Sequence, residues 1–311
     1  MKKITIKNIC FNFLKVIIII SFVILFSKIF GSINTLTGIS ILVALMTFWC
    51  IDIGINKKQA PFIIVLLFLL TGISNRLAMF NPILGLIINF ATTFLITYIP
   101  SNKPEYKAYM AFILCFIFNE SNPATGHDFF TRMISLLIGS LLVAVVYIFR
   151  HRKSDLKYDS VQGHLKNIDI TSDRFIVSIK MAIGVSIAML IGTLLGLKRT
   201  MWIAISVMSL TQIDFEQTKI RFKNRIISTI LGSIVFVILF QLLVPDEYDF
   251  IASLVLTYIY AFLTDYKYQV ILITVNSLSS ALALFDASTA IELRIVLIIS
   301  GCILGLSLIH I

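Results

Sequence analysis

The sequence predicts an all-α integral membrane protein, with about twelve transmembrane helices arranged as two parallel tandem six-helix repeats. Three observations carry that expectation. Of 311 residues, 58% are hydrophobic and only 14% are charged, and the mean hydropathy is +0.97. A soluble domain of this length has no interior large enough for so much apolar surface, so the surplus faces lipid. The apolar runs are continuous and not alternating, which favours helices over a barrel. The third observation is a basic residue pattern that switches from one side of the runs to the other.

In chain order the apolar segments centre on residues 11–30, 36–51, 61–79, 82–99, 107–119, 130–149, 174–196, 200–213, 226–244, 249–264, 268–284 and 292–311. A helix that crosses the roughly 30 Å hydrocarbon core needs about 20 residues, so the second, fifth and eighth segments read as short. Lys2, Lys3 and Lys7 precede the first run in the manner of a signal peptide. No small-x-small cleavage site follows them, and an uncleaved first helix is expected.

With the N-terminus taken as cytoplasmic, the inside segments collect most of the lysine and arginine. Examples are Lys57 and Lys58, Lys103 and Lys107, Arg150 to Lys157, and Lys219 to Arg225. The outside loops hold few basic residues (Arg76, Arg132, Lys198, Arg199, Arg294) and several acids, among them Glu120, Asp128 and Glu292. That asymmetry predicts a multi-pass protein of the cell membrane with a cytoplasmic N-terminus. The net charge of +10 is therefore a topology signal, and it lacks the basic face on a soluble domain that nucleic acid requires.

Residues 150–173 form the longest polar stretch, a cytoplasmic linker between a first membrane repeat at 1–149 and a second at 174–311. Lys15 and Gly31 correspond to Lys180 and Gly196, offset by 165. Asp52, Lys57, Arg132 and Gly139 correspond to Asp214, Lys219, Arg294 and Gly301, offset by 162. A three-residue difference in the first external loop reconciles the offsets. An even number of spans per half makes the repeat parallel.

Several residues carry chemistry. Arginine precedes glycine by seven residues at Arg132–Gly139, Arg225–Gly232 and Arg294–Gly301, which puts both on one helix face. Glycine there allows close packing while arginine snorkels; alternatively Arg132 and Arg294 hold a carboxylate at the mouth of a central pathway. Asp128 and Glu292 stand where they would pair with those arginines. Asp52 and Asp214 lie at the cytoplasmic ends of the second and eighth segments. They are either solvated helix-end acids or the carboxylates of a proton-coupled carrier. Thr211 and Gln212, beside Asp214, form a polar patch suited to a substrate, and Trp202 reads as an interfacial anchor or a stacking platform. Cys10, Cys50, Cys115 and Cys302 have no metal or redox spacing and read as packing residues. No metal or cofactor site is expected. The sequence holds no nucleotide loop, zinc helix or nucleophile elbow, so neither catalysis nor direct use of ATP is expected.

The segment 180–245 holds a basic-headed apolar helix, a turn with Gly196, a Trp202 helix ending in TQIDFEQT, and a basic loop leading into RIISTILG. This resembles the fusaric-acid-resistance/aromatic-acid-exporter superfamily, whose half-module carries a tryptophan helix followed by R-x-x-G-T-x-x-G. Arg225, Thr229 and Gly232 fit that helix-packing motif, with Ser228 at the first glycine position. Residues 11–149 resemble the module more weakly, with KKQAPFIIVLLFLLTG where the motif would stand. Larger members carry a sizeable cytoplasmic domain that is replaced here by the short linker. The resemblance implies a secondary transporter exporting small organic, chiefly aromatic, carboxylic acids on the proton gradient. It also implies partners limited to the bilayer, the anion and a homo-oligomeric mate or adaptor. An organic-anion channel of the same architecture and a non-transporting membrane scaffold are the alternatives.

Overall fold

The computed structural model describes residues 6–152, 158–166 and 168–308, and it is helical throughout, with no strand among the described residues. Lys2, Lys3, Lys153 and Lys157 of the basic pattern lie outside the described residues. The helices are α1 Ile6–Phe30, α2 Thr35–Cys50, α3 Ala60–Ala78, α4 Pro82–Tyr98, α5 Met110–Ser121 and α6 Gly126–His151. A short α7, Val161–Lys166, follows in the linker. The second half has α8 Asp173–Leu194, α9 Met201–Leu210, α10 Phe215–Phe236, α11 Asp249–Tyr260, α12 Tyr266–Ser279 and α13 Ala287–Ser307.

Local chemistry sets these limits. Asn81 caps α4 by accepting the Ile83 amide at 2.8 Å, with Pro82 at the first helical position, where its missing N–H costs nothing. Ser172, Asp214, Asp265 and Asp286 cap α8, α10, α12 and α13 in the same way. Side-chain and backbone donors of Ser288 and Thr289 hold the Asp286 carboxyl well below the usual carboxylate range. Gly31 (φ +85°) and Gly196 (φ +60°) follow the first helix of each half, in the left-handed region that ends a helix without strain on a Cβ.

Among the described residues, seven helical stretches are long and apolar enough to cross a membrane: Ile9–Phe30, Ser32–Cys50, Ala60–Ala78, Gly126–His151, Asp173–Leu194, Phe215–Leu243 and Ala287–Ser307. The second segment, expected to be short, gains a 3₁₀ turn at Ser32–Asn34 and reaches 19 residues. The sixth of these stretches continues α10 through a π-helical turn, Val237–Leu243. The other segments are shorter than a full crossing: 17 residues for α4, 12 for α5, 10 for α9, 12 for α11 and 14 for α12.

Packing explains why short helices suffice at α5 and α9. Phe112, Cys115 and Phe116 of α5, and Trp202, Ala204 and Val207 of α9, are all buried. The two helices pack on each other and on α2, α3, α8 and α13, so their ends meet protein and not lipid. By contrast α1 is apolar all round and largely exposed, as a lipid-facing helix should be. Within the first half α6 packs on α2 and α3; within the second, α13 packs on α9 and α10. The most extensive contact in the molecule joins the halves through α4 and α8. There Arg174 donates to the Tyr98 and Ile99 carbonyls at 2.7 and 3.0 Å, satisfying the open C-terminus of α4.

The cysteines divide: Cys115 and Cys302 are buried packing residues, whereas Cys10 and Cys50 are exposed.

Candidate functional site

Arg132 and Arg294, 162 positions apart, have opposite environments. Arg132, on α6, is buried and fully engaged. Its Nε donates to Asn34 Oδ1 at 3.0 Å, Nη1 to the Asn122 and Asn119 carbonyls at 2.6 and 3.4 Å, and Nη2 to the Ile33 carbonyl at 3.2 Å. The Asn119 and Asn122 carbonyls end α5 and the Ile33 carbonyl leads into α2, so the guanidinium closes a helix terminus. Asn119 extends the network by donating to Thr71 Oγ1 and accepting from Thr37 Oγ1 at 3.1 and 2.9 Å.

Arg294, on α13, is equally buried, yet its Nε finds no acceptor. Its guanidinium carbon lies 4.8 Å from the centroid of the Trp202 ring. Arg199, which precedes α9, approaches the same ring at 5.8 Å and donates through Nη2 to the Ser280 carbonyl at 3.2 Å, leaving its Nε unpaired. Arg225, on α10, donates weakly to the Tyr266 hydroxyl at 3.4 Å, and its Nε is unpaired too. Ser209 Oγ stands 2.8 Å from that hydroxyl. Arg225 and Arg199 are close enough to Arg294 to repel its charge.

Among the described residues no carboxylate answers this cluster. The ion pairs among the described residues are His151–Asp52 and Lys219–Glu216. Asp128 and Glu292, expected to pair with Arg132 and Arg294, are exposed and make none. A guanidinium stays charged under any ordinary condition, and burying it unpaired costs several kcal/mol. The indole face offsets part of that cost through its quadrupole, worth about 2 kcal/mol when desolvated. A bound anion would offset the rest. Ser228 Oγ and Thr274 Oγ1, on the adjoining α10 and α12, are further buried hydroxyls without partners.

The sequence-level candidates distribute unevenly over this site. Trp202 is 2% exposed, so it is an internal platform for cations and not an interfacial anchor. Thr211 Oγ1 bonds back to the Val207 carbonyl at 3.0 Å. Gln212 donates to the Ser209 and Thr211 carbonyls and accepts from Lys107 Nζ at 2.6 Å, so its amide ties the second half to the first. Burial, aided by the nearby charge of Arg221, pulls the Lys107 ammonium down to about 8. Thr229 bonds back to the Arg225 carbonyl at 2.8 Å, and Gly232 meets α12 so closely that a Cβ there would stand 2.8 Å from the Ile271 carbonyl oxygen.

Asp52 and Asp214 have separate duties. Asp52 Oδ1 accepts from the Gly54 amide and the Tyr147 hydroxyl at 2.9 and 2.8 Å, with His151 Nδ1 3.7 Å from Oδ2. Asp214 is exposed and caps α10 by accepting the Glu216 amide at 3.1 Å.

Arg199 and Tyr266 were not singled out by the sequence. Arg199 stands three residues before Trp202, one helical turn away, and that spacing was the available signal. Tyr266 carried none.

The family model described as fusaric acid resistance protein-like matches residues 187–308. The fusaric-acid-resistance-like segment thus runs from the second half of α8 through α13 and contains Arg199, Trp202, Arg225 and Arg294. The sequence-level resemblance rested on part of the same stretch. No curated protein and no solved structure matches the chain.

Proposed function

We propose that this chain is a secondary transporter of the cell membrane that exports small organic, chiefly aromatic, carboxylic acids on the proton gradient. One observation carries the reading: Arg294 lies buried on the face of Trp202, beside two further guanidiniums, with no carboxylate paired to it among the described residues. A carboxylate supplies the missing charge and accepts bidentate hydrogen bonds, while an aromatic ring attached to it finds an indole to stack on. The fusaric acid resistance protein-like match over this segment supports transport as the context. The sequence has no nucleotide-binding loop, which favours an ion gradient as the energy source.

The parallel six-plus-six architecture belongs to this reading. Gly139 of α6 packs on Ile41 of α2, and Gly301 of α13 packs on Ile203 of α9. Both residues of the second pair stand 162 positions after those of the first, which supports a duplicated α2–α6 and α9–α13 unit. Duplication followed by divergence then accounts for one arginine closing a helix end and its mate remaining open to a ligand.

In proteoliposomes, the wild-type chain should accumulate a benzoate-class acid when a pH gradient is imposed. Arg294→Ala should lower that rate by about tenfold or more, since a lost charge-assisted contact is worth roughly 1.5–3 kcal/mol. Flux unchanged in Arg294→Ala would remove the basis of the proposal. Steady current independent of the pH gradient would point to a channel instead.

A further inference from the structure

The proton that drives transport needs a site, and neither Asp52 nor Asp214 is a satisfying one. Asp52 is tied to Tyr147 and Asp214 is an exposed helix cap. A different carboxylate, in the last turn of α5, has the required surroundings. Glu120 Oε2 accepts from Asn75 Nδ2 of α3 at 3.0 Å, and Oε1 accepts from Asn89 Nδ2 of α4 at 2.9 Å. Both asparagines are buried, 1% and 4% exposed, and the Oδ1 atom of each has no donor. Glu120 makes no ion pair among the described residues.

The elements packed on α5 supply little countercharge. Helices α2, α4 and α9 carry no Asp, Glu, Lys, Arg or His. On α3, Arg76 turns to the ring of Phe80. On α8, Arg174 is committed to the far end of α4, Lys180 has a partner of its own, and Asp173 stands in the first turn beside Arg174. On α6, Arg132 takes the carbonyls of Asn119 and Asn122, on either side of Glu120, and leaves its carboxylate alone. Cys115 is the titratable group on α5 itself, one helical turn and more before Glu120.

We propose that Glu120, held between the side-chain amides of Asn75 and Asn89, is the binding site for the coupling proton. Two amide N–H groups suit an ionised carboxylate. When a proton adds to one carboxylate oxygen, that oxygen becomes a donor facing a donor, and one asparagine must turn its amide over. The turn brings its Oδ1 inward to accept from the new O–H. The amide oxygen that lacked a donor thereby gains one. A metal cation fits less well, because both amides present nitrogen and not oxygen to the carboxylate. Helix α5 also packs on α9, which carries Trp202, so a change at the end of α5 has a direct mechanical route to the anion site.

This rests on the transport reading for its purpose, though the site can be tested without any flux. Infrared difference spectra of the solubilised full chain across a pH titration should show one buried carboxyl band, absent in Glu120→Gln and displaced in Glu120→Asp. The band should be indifferent to replacing sodium with choline. In proteoliposomes, Glu120→Gln should keep substrate exchange within about twofold while losing gradient-driven accumulation by about tenfold or more. A band that survives in Glu120→Gln, or one abolished by sodium, overturns the assignment. So does full gradient-driven accumulation by Glu120→Gln. Absence of all carboxylate flux in the wild type would sink the transport reading alone and leave the spectra to decide the proton site.

Discussion

Arg132 and Arg294 have the same spacing to a glycine and the same position in their halves, and they should respond in opposite ways to truncation. Arg132→Ala strands the Asn122 carbonyl and Asn34 Oδ1, while the Ile33 and Asn119 carbonyls keep the Asn122 side-chain and backbone amides as donors. Each buried acceptor left unpaired costs about 1–3 kcal/mol, so the detergent-solubilised protein should melt well below wild type. Arg294→Ala removes a buried charge that only an indole face offsets, with no carboxylate paired to it among the described residues, and its melting temperature should stay level or rise. Nothing in the sequence separated the two, because the distinction lies in the partners. Ile33 and Asn34 are distant in the chain from Arg132, and the indole that takes Arg294 is distant from it in turn. Lys107 gives a second residue-level prediction. Its folded value of about 8 lies below the ordinary lysine value, so the ammonium is disfavoured by folding. That penalty is full below about 8 and is relieved as pH rises through 8 toward the unfolded value near 10.4. At pH 8 a large share of Lys107 is the neutral amine, and acylation mapped by mass spectrometry should reach it ahead of solvent-exposed Lys57 and Lys58.

At the scale of elements, the close approach of α10 and α12 depends on Gly232. A Cβ there would stand 2.7 Å from Thr274 Cβ as well as 2.8 Å from the Ile271 carbonyl oxygen. Gly232→Leu should force the helices apart and cost about 1–3 kcal/mol or more, measurable as lost thermal stability in detergent. This packing role was legible in advance, since RIISTILG places a small residue seven positions after an arginine on one face. Segment positions were legible too, because long apolar runs announce themselves. What could not be read was how much of each run is helix. The fifth and eighth segments shrink to 12 and 10 residues as α5 and α9 because neighbouring helices, not lipid, surround them. The second lengthens because a 3₁₀ turn joins its start. Tertiary cover decides these lengths, and hydropathy along one segment carries no record of it.

For the whole molecule, the two halves are joined through α4 and α8, and the centre is built from α5 and α9. Composition was enough to predict a helical membrane protein, and seven helices satisfy the length and hydropathy of a crossing. The placement of chemistry was less legible. The sequence reads Glu120 as a loop acid and Trp202 as an interfacial anchor or a stacking platform, and α5 carries the first to two buried asparagines while α9 carries the second beneath two arginines. A residue's distance from the end of an apolar run does not give its depth in the protein. The central claim is that an aromatic carboxylate binds between Arg294 and Trp202. The chain has two tryptophans, and Trp49 is 50% exposed, so Trp49→Phe leaves Trp202 as the only indole. Fluorescence of that variant, titrated with benzoate, should be quenched in a saturable way, with affinity about tenfold weaker once Arg294→Gln is added. Quenching that is unaltered by Arg294→Gln, or no saturable change at all, would contradict the account.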